Sequence, residues 1–380
     1  MTCQEVSPVC HLGFLWHVFR SLTVPVRLIR RRVRYQRSEV AIMSVPDNAR
    51  EFYTGKNICA PMVRISTLAT RLVAHEYGAH LVYSEELVDK RFAHCTRVVN
   101  KELNSIDFID AKGMLMFRTI PEEKERVVFQ VGTSSAALAL QCAELVANDV
   151  AAIDVNMGCP KHFSTAGGMG ARLLDQPELV RDILTTLRRN LPTETHVTCK
   201  IRLLETEQKT AELAKIIESC GVSAFAVHGR YVPQRPREPA HWNLIKSVVD
   251  AVNCPVIANG DVLCYEDFAR IREQTGAASA MCARGAQWNL SIFRPEGMVS
   301  SDDAKKQFLR RAIEYDNPLN FSRFQLREIL GYRKALNSTE GQLLIKAKTW
   351  DDLAELYELE DVLKSSREKR RRALLRDGDE

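Results

Sequence analysis

Residues 151–170 have the sequence AAIDVNMGCPKHFSTAGGMG, which contains the pattern from which the fold is predicted. Its first part, residues 151–156, is a short apolar run of the kind that forms a buried β-strand. A Gly-Cys-Pro turn and a Gly-rich loop follow, and residues 177–190 then show helical periodicity. A buried strand, a polar loop and an amphipathic helix in this order predict one βα unit of a parallel sheet.

The same pattern recurs on both sides of this unit. Seven other strand candidates alternate with segments of helical periodicity, at residues 58–63, 80–85, 127–132, 196–201, 224–228, 255–259 and 279–283. Eight such units within about 250 residues predict an α/β fold, a (β/α)8 TIM barrel rather than an open sheet. An insertion at residues 92–118, before the third strand, predicts a small hairpin.

The pattern changes after Phe293. Residues 302–362 have amphipathic helical spacing and no strand candidate, which predicts a small C-terminal domain of three or four helices. We therefore expect four parts. They are a basic N-terminal extension (1–48), a TIM-barrel catalytic domain (49–296), a helical domain (297–363) and a charged tail (364–380).

Basic residues are concentrated at the two ends of the chain. In total, 53 Lys and Arg against 48 Asp and Glu give a net charge of +5. Residues 1–43 contain seven Arg and two Glu, and residues 364–380 contain seven basic and four acidic side chains, so the segment between them has a net charge of −3. A nucleic acid would therefore have to bind through local patches, because the middle has no bulk positive field.

The N-terminal segment has two interpretations. An apolar run at residues 9–19 is followed by six arginines, a composition typical of a mitochondrial transit peptide. Alternatively, it is a poorly ordered extension, or translation starts at Met43. No run of about 20 apolar residues occurs, so we expect no contact with a membrane. We expect a cytoplasmic protein, with mitochondrial targeting as the alternative.

The 11 cysteines do not form a disulfide framework. None lies in a C-x-x-C pair, and most lie inside apolar runs, as Cys199 and Cys282 do. We therefore expect buried free thiols in a reducing compartment, and no metal site, because zinc-ligand spacing is missing.

In a barrel of this kind, chemistry takes place at the C-terminal ends of the strands. The last two ends carry Gly260, Arg284 and Gly285, each before a helix N-terminus, and this arrangement suits a phosphate such as that of FMN. Ordinary Gly-containing turns are the alternative. Lys200 and Gln130 at other strand ends would then face the flavin ring.

Two further residues at strand ends have a chemical interpretation. Cys159, just past the fourth strand, is a nucleophile, a general acid or an inert thiol. His228 favours a cofactor or substrate contact, with a structural histidine as the alternative.

Seven motifs now occur in one order and at barrel-like spacing. They are APMVR (60–64), VFQVG (128–132), DVNMGCPKHFSTAGGMGA (154–171), CKIR (199–202), VHGR (227–230), NGD (259–261) and ARGA (283–286). Together they resemble the tRNA-dihydrouridine synthases. EELVDK (85–90) and RVVFQVGTS (126–134) resemble most the eukaryotic dihydrouridine synthase 2 subfamily, which modifies uridine 20 in the D-loop.

The resemblance implies FMN-dependent reduction of one tRNA uridine to 5,6-dihydrouridine. Hydride passes from reduced FMN to uracil C6, Cys159 donates a proton to C5, and NADPH, or less often NADH, reduces the flavin. By the same motifs, three groups of residues have expected roles. Pro61, Met62, Val63, Gln130, Lys200 and His228 line FMN; Asn259, Gly260, Asp261, Ala283 and Arg284 hold its phosphate end; Asn156 and Arg230 orient the uracil.

The resemblance also implies how tRNA is bound. The helical domain would dock the tRNA, the target uridine would leave its stack, and the protein would act as a monomer. Two departures stand out. Several relatives have a basic residue where this chain has Ala166, and animal members append a double-stranded-RNA-binding domain that we do not see here. We therefore expect tRNA binding through the helices and basic ends, or a truncated sequence.

Two alternatives to this function come from other classes. One is an FMN-dependent oxidoreductase of the dihydropyrimidine or dihydroorotate type that acts on a small substrate. The other is a catalytically silent RNA-binding protein. The basic tail and the extra helices argue against the first, and the joint presence of Cys159, Lys200 and Arg284 argues against the second.

Overall fold

A computed structural model of the chain describes residues 45–376. The prediction of a transit peptide falls on residues outside this range, as do the last four residues of the charged tail. From Met43 onward the chain clusters as one compact unit. The domain boundary that we predict at residue 296 therefore stays a prediction.

Twelve strands occur in the described range. They are β1 (Asn57–Cys59), β2 (Leu81–Tyr83), β3 (Leu87–Val88), β4 (Thr96–Asn100), β5 (Ser105–Ile109), β6 (Leu115–Thr119), β7 (Val127–Gly132), β8 (Ala152–Met157), β9 (His196–Leu203), β10 (Ala224–Tyr231), β11 (Val256–Asn259) and β12 (Ser279–Cys282).

Helices separate these strands and follow the last of them. They are α1 (Ala49–Phe52), α2 (Leu68–Glu76), α3 (Asp89–Phe92), α4 (Ala136–Val146), α5 (His162–Thr165), α6 (Pro177–Asn190), α7 (Glu207–Ser219), α8 (Trp242–Ala251), α9 (Glu266–Thr275), α10 (Arg284–Trp288), α11 (Ser301–Glu314), α12 (Leu319–Leu330), α13 (Tyr332–Asn337), α14 (Thr339–Lys346), α15 (Trp350–Tyr357) and α16 (Glu360–Arg376).

Eight parallel strands close into the predicted barrel. The order is β2-β1-β12-β11-β10-β9-β8-β7, and β2 pairs with β7 to close the barrel. The short strand β3 pairs with the C-terminal end of β7. Each strand matches one of the eight predicted from the sequence, so the TIM-barrel prediction is confirmed. Strands β9 and β10 are longer than predicted at their C-terminal ends. Arg202 and Arg230 are therefore the second-last residues of strands rather than loop residues.

The barrel is filled and covered by apolar side chains. Ile58, Tyr83, Val128 and Ile257 belong to the cluster inside the barrel, and a larger cluster packs the outer helices against the sheet. Alternate residues of every barrel strand point inward, so this packing fixes which strand-end side chains face the mouth.

The insertion differs from the predicted hairpin. It forms a three-stranded antiparallel sheet of β4, β5 and β6. The third strand forms because Phe117 is buried against the barrel, with its ring 5.4 Å from that of Phe129 on β7 and 5.7 Å from that of Phe108 on β5. The prediction missed β6 because its pairing with β5 depends on contacts with the folded barrel, such as the burial of Phe117.

The C-terminal region contains more helices than predicted. Six helices, α11 to α16, follow the barrel in the described residues, instead of three or four. The extra boundaries have local causes. Gly331, with φ of 82°, ends α12, and the hydroxyls of Ser338 and Thr349 cap α14 and α15 by accepting backbone N–H groups. The tail as far as Arg376 belongs to α16.

No helix in the described residues is long and apolar enough to cross a membrane.

A buried ion pair ties α2 to the segment that follows the inserted sheet. Arg71 Nε donates to Glu123 Oε1 at 2.5 Å, and its other nitrogens donate to the carbonyls of Ser66 and Arg118 at 2.8 and 2.7 Å. Thr119 also donates to Glu123, at 3.0 Å. Both charged side chains are almost completely excluded from solvent, so neither charge is solvated if its partner is lost.

We expect Glu123→Ala to lower the free energy of unfolding by about 3–5 kcal/mol, because it leaves the buried Arg71 guanidinium unpaired. Urea denaturation measures this change. Lys209→Ala is the control, since its pair with Glu205 is exposed and its loss should change nothing measurable. Equal effects of the two substitutions would contradict the assigned role of the buried pair.

Candidate active site

The C-terminal ends of the barrel strands surround two connected cavities. The strand-end cavity has a volume of about 350 Å³, and the arginine cavity beside it has a volume of about 510 Å³. Seven residues line both of them: Cys159, Pro160, Lys161, Arg202, His228, Asn259 and Ala283. All the residues that we predicted from motifs line one cavity or the other, so the structure brings the whole predicted set together.

The predicted residues divide between the cavities by type. The strand-end cavity contains Pro61, Met62, Val63, Gln130, Asn156 and Lys200. The arginine cavity contains Gly260, Asp261, Arg230 and Arg284, together with Arg235. The first set offers apolar surface with a few polar groups, and the second offers guanidinium groups. Such a pair of subsites suits a ligand with a flat ring at one end and an anion at the other.

A buried chain of hydrogen bonds fixes the turn that carries Cys159. Asn156 Oδ1 accepts the backbone N–H groups of Gly158 and Cys159 at 3.0 and 2.9 Å. Asn156 Nδ2 donates to Gln130 Oε1 at 2.8 Å, and Gln130 Nε2 donates to Asp154 Oδ2 at 2.8 Å. Because the first two donors are backbone N–H groups, each amide in the chain has only one orientation that satisfies every partner.

Asp154 is the buried anchor of this chain. Its other oxygen, Oδ1, accepts the hydroxyl of Thr198 at 2.7 Å. Burial raises the pKa of Asp154 to about 6, although hydrogen bonds from Gln130 and Thr198 and the charge of Lys200 act in the opposite direction. Loss of solvation therefore outweighs the favourable contacts of the carboxylate.

The Cys159 thiol is kept protonated by its surroundings. Burial and then the charge of Glu86 raise the pKa of Cys159 to about 11. A thiol with this pKa is almost entirely protonated at neutral pH. Such a thiol suits a proton donor better than a nucleophile, and the role of Cys159 stays a prediction.

Two cations on β9 lie close to this thiol. Burial and then the charge of Arg202 lower the pKa of Lys200 to about 8, and its ammonium has no ion-pair partner in the described residues. Burial and then the charges of Arg230 and Arg235 lower the pKa of Arg202 to about 10. Arg202 Nε donates to the Gly158 carbonyl at 2.8 Å, so this side chain braces the same turn.

His228 is neutral, and its tautomer is fixed. Burial and then the charges of Lys200, Arg202, Arg230 and Arg284 lower the pKa of His228 well below its ordinary value. Arg230 Nη1 lies 3.1 Å from His228 Nε2. Since a guanidinium only donates, Nε2 accepts this bond and Nδ1 carries the proton. The ring therefore keeps one N–H donor for a ligand.

Asp261 joins two arginines instead of facing an anion. Its Oδ1 accepts hydrogen bonds from Arg230 and Arg284, and its Oδ2 accepts the N–H of Ala240 at 2.7 Å. Burial alone would raise the pKa of Asp261, but hydrogen bonds from Arg230 and Ala240 and the charges of both arginines lower it. A carboxylate repels phosphate, so the Asp261 side chain is suited to holding the guanidinium groups rather than to contacting an anion, and the predicted role of Asp261 at the phosphate end stays a prediction.

The two residues predicted to orient the uracil have protein partners. Both polar atoms of the Asn156 carboxamide are used in the chain described above. Arg230 donates to His228, to Asp261 and, at 2.7 Å, to the carbonyl of Glu238, and its side chain is only 4% exposed. Their expected contact with the substrate stays a prediction.

Four residues of the site were not singled out from the sequence. Glu86, Asp154 and Arg202 lie within motifs that we quoted, but their contacts depend on the folded barrel. Phe324 on α12 lines the strand-end cavity, with the Arg64 guanidinium 5.9 Å from its ring centroid. Helix α12 thus contributes Phe324 to the lining of the site, and helical spacing alone gave no sign of this contact.

The nine cysteines in the described residues are free thiols; six of them are buried, and Cys159, Cys254 and Cys264 are half-buried. In the same part of the chain, no group of three or more His, Cys, Asp or Glu side chains is arranged to hold a metal ion.

Comparison with known proteins identifies relatives of the chain. Residues 58–338 match the family model described as Dihydrouridine synthase (Dus). A tRNA-dihydrouridine(20) synthase (NAD(P)+) of Schizosaccharomyces pombe is 41% identical over 319 residues, which cover 81% of this chain and 66% of that protein. The chain thus spans slightly less than two thirds of the length of that relative.

Two further relatives have similar names. A tRNA-dihydrouridine(20) synthase (NAD(P)+) of Saccharomyces cerevisiae is 35% identical over 298 residues, covering 73% of this chain and 78% of that protein. A mouse tRNA-dihydrouridine(20a/20b) synthase (NAD(P)+)-like protein is 31% identical over 245 residues, covering 64% of this chain and 71% of that protein. The family predicted from the motifs is therefore confirmed.

The raised pKa of Asp154 predicts a dependence of stability on pH. The folded state holds this proton more tightly than the unfolded state, so its stabilising contribution is present below pH 4 and is lost as the pH rises to about 6. Relative to Asp154→Asn, the wild-type free energy of unfolding should fall by up to about 3 kcal/mol over this interval. Urea denaturation at several pH values measures the difference, and parallel profiles would contradict it.

Proposed function

The chain belongs to the dihydrouridine synthase family, and we propose that it reduces a uridine of tRNA, U20 of the D-loop, to 5,6-dihydrouridine. The observation that carries this proposal is the Cys159 thiol, held protonated by its environment at the junction of two cavities. A neighbouring cation, Lys200, has no ion-pair partner in the described residues. A carbanion formed at uracil C5 needs such a proton donor.

The residues of the two cavities fit FMN. The apolar surface of Pro61 and Met62 suits a flavin ring, and Lys200 supplies a cation beside it. The guanidinium of Arg284, held by Asp261, suits the phosphate, as do the adjoining backbone of Gly260 and the N-terminal end of α10. When bound, FMN supplies the hydride that adds to uracil C6. NADPH or NADH is the proposed reductant, in keeping with the names of the relatives.

The chain's own residues then have distinct tasks. Cys159 donates its proton to C5 of the ring, and Asn156 holds the turn that aims the thiol. Lys200 stabilises negative charge that develops beside it. His228 offers its Nδ1–H as a donor. Arg230, which the motifs predicted to orient the uracil, belongs to the anion end of the site in this proposal; its contacts with Asp261 and His228 support this assignment.

Binding of tRNA involves the C-terminal helices in this proposal. Phe324 of α12 lies at the edge of the strand-end cavity, next to Arg64 and Arg327. A uridine that leaves its stack enters this cavity past an aromatic ring and two guanidinium groups, which favour a flipped nucleotide and its phosphates. The basic side chains of α16 add sequence-independent attraction to the backbone. We retain the prediction of a monomer.

The small-substrate alternative has less support. The curated relatives described above are named as enzymes of tRNA, and none is named for a free pyrimidine.

The test is to incubate the purified chain with NADPH and unmodified tRNA, and to map dihydrouridine by mass spectrometry of nuclease fragments. We expect dihydrouridine at one D-loop position. Cys159→Ala should keep the flavin absorbance but lose at least about 100-fold in rate, because the general acid is gone. Cys254→Ala, at the opposite end of the barrel, is the matched control. A normal rate in Cys159→Ala would contradict the acid role.

A further inference from the structure

Glu86 is a buried carboxyl group with one unused oxygen beside the site. It follows β2 and is 6% exposed. Its Oε1 accepts the hydroxyl of Ser164 at 2.6 Å, whereas its Oε2 is buried and makes no regular hydrogen bond within residues 45–376. The thiol of Cys159 lies next to the same carboxyl and interacts with it. A buried acceptor without a partner is costly, which calls for an explanation.

Two glycines make room for Glu86, Ser164 and Cys159, which we call the thiol–carboxyl cluster. A Cβ at Gly132 would lie 2.6 Å from Glu86 Oε1. A Cβ at Gly170 would lie against the Ser164 hydroxyl and 3.2 Å from Cys159 Cβ. Gly170 also has φ of 60°, a conformation that favours glycine. A side chain at either position would therefore clash with the thiol–carboxyl cluster.

We propose that Glu86 keeps the Cys159 thiol protonated between turnovers and returns a proton to it after each one. This inference rests on the proposed function, in which Cys159 gives up its proton to uracil C5. After turnover the Glu86 carboxylate lies beside the Cys159 thiolate and takes a proton from solvent; the O–H bond so formed then breaks as the S–H bond of Cys159 forms. The negative charge thus leaves the sulfur, and Glu86 is again the carboxylate that it is between turnovers. Glu86 acts through Cys159 and is a positioning residue.

The electrostatics of the cluster support this direction of transfer. Burial raises the pKa of Glu86, against the opposing effects of the Ser164 hydroxyl, the neighbouring Cys159 thiol and the Lys161 charge. A thiolate formed next to this carboxyl would raise its pKa further, since two adjacent negative charges repel. Lys200 and Arg202 face the thiol from β9 and favour its thiolate form, so Glu86 is the group that opposes them.

Alkylation of Cys159 by iodoacetamide tests the inference without flavin turnover or tRNA. The rate is followed from pH 7 to 11, and mass spectrometry identifies the labelled peptide. In Glu86→Gln the carboxylate charge is lost, so we expect Cys159 to react about tenfold faster at pH 8, as one unit of pKa gives. Glu85→Gln is the matched control. Its carboxylate accepts the N–H of Arg64 instead, and its removal should leave the profile unchanged.

Turnover with tRNA supplies the second readout. Glu86→Gln should lower kcat about tenfold, with a greater loss at high pH and no change in KM for tRNA. Glu86→Asp, which keeps the charge and guards against a folding defect, should recover part of both effects. A Glu86→Gln alkylation profile equal to the wild type, or a normal kcat across the pH range, would overturn the inference. Failure of the proposed function is separate: the wild type would then form no dihydrouridine.

Discussion

The carboxamide oxygen of Asn156 holds the backbone N–H groups of Gly158 and Cys159, and the candidate site is built on that turn. The bond is the last link of a chain that begins at Thr198 and passes through Asp154 and Gln130. These side chains belong to β7, β8 and β9, so the series of hydrogen bonds connects three neighbouring strands at the mouth of the barrel. Because it is buried, each lost link leaves an unsatisfied polar group.

Positive charge is concentrated at the candidate site, in contrast to the rest of the barrel. The middle of the chain is net negative, yet four guanidinium groups and two ammonium groups converge on the two cavities. Asp261 holds two of the guanidinium groups in place without neutralising the set. Burial and the charges of neighbouring cations lower the pKa values of Lys200 and His228. An anionic ligand relieves this repulsion.

The sequence predicted the barrel well because each buried strand is a short apolar run that ends at Gly or polar residues. The same ends form the mouth, so the motif residues were found together. Contacts between residues distant in the sequence could not be predicted from motifs. The hydrogen bond between Ser164 and Glu86, for example, joins residues that are 78 positions apart. Nor does a motif reveal which polar atoms are already satisfied, as in Arg230. The sequence did not predict strand β6 or helices α13 and α14. These are short elements whose formation depends on single local contacts, such as the buried ring of Phe117 in β6 or the Ser338 cap of α14.

The high pKa of Cys159 has a consequence for the lifetime of the protein. Peroxides attack the thiolate, and the rate of oxidation follows the fraction of thiol that is ionised. A cysteine whose pKa is about 11 keeps that fraction very small at neutral pH, even where it is partly open to solvent. The environment that stores a proton on sulfur therefore also protects the residue from oxidative damage. Cysteines activated as nucleophiles, with their lowered pKa values, do not have this protection.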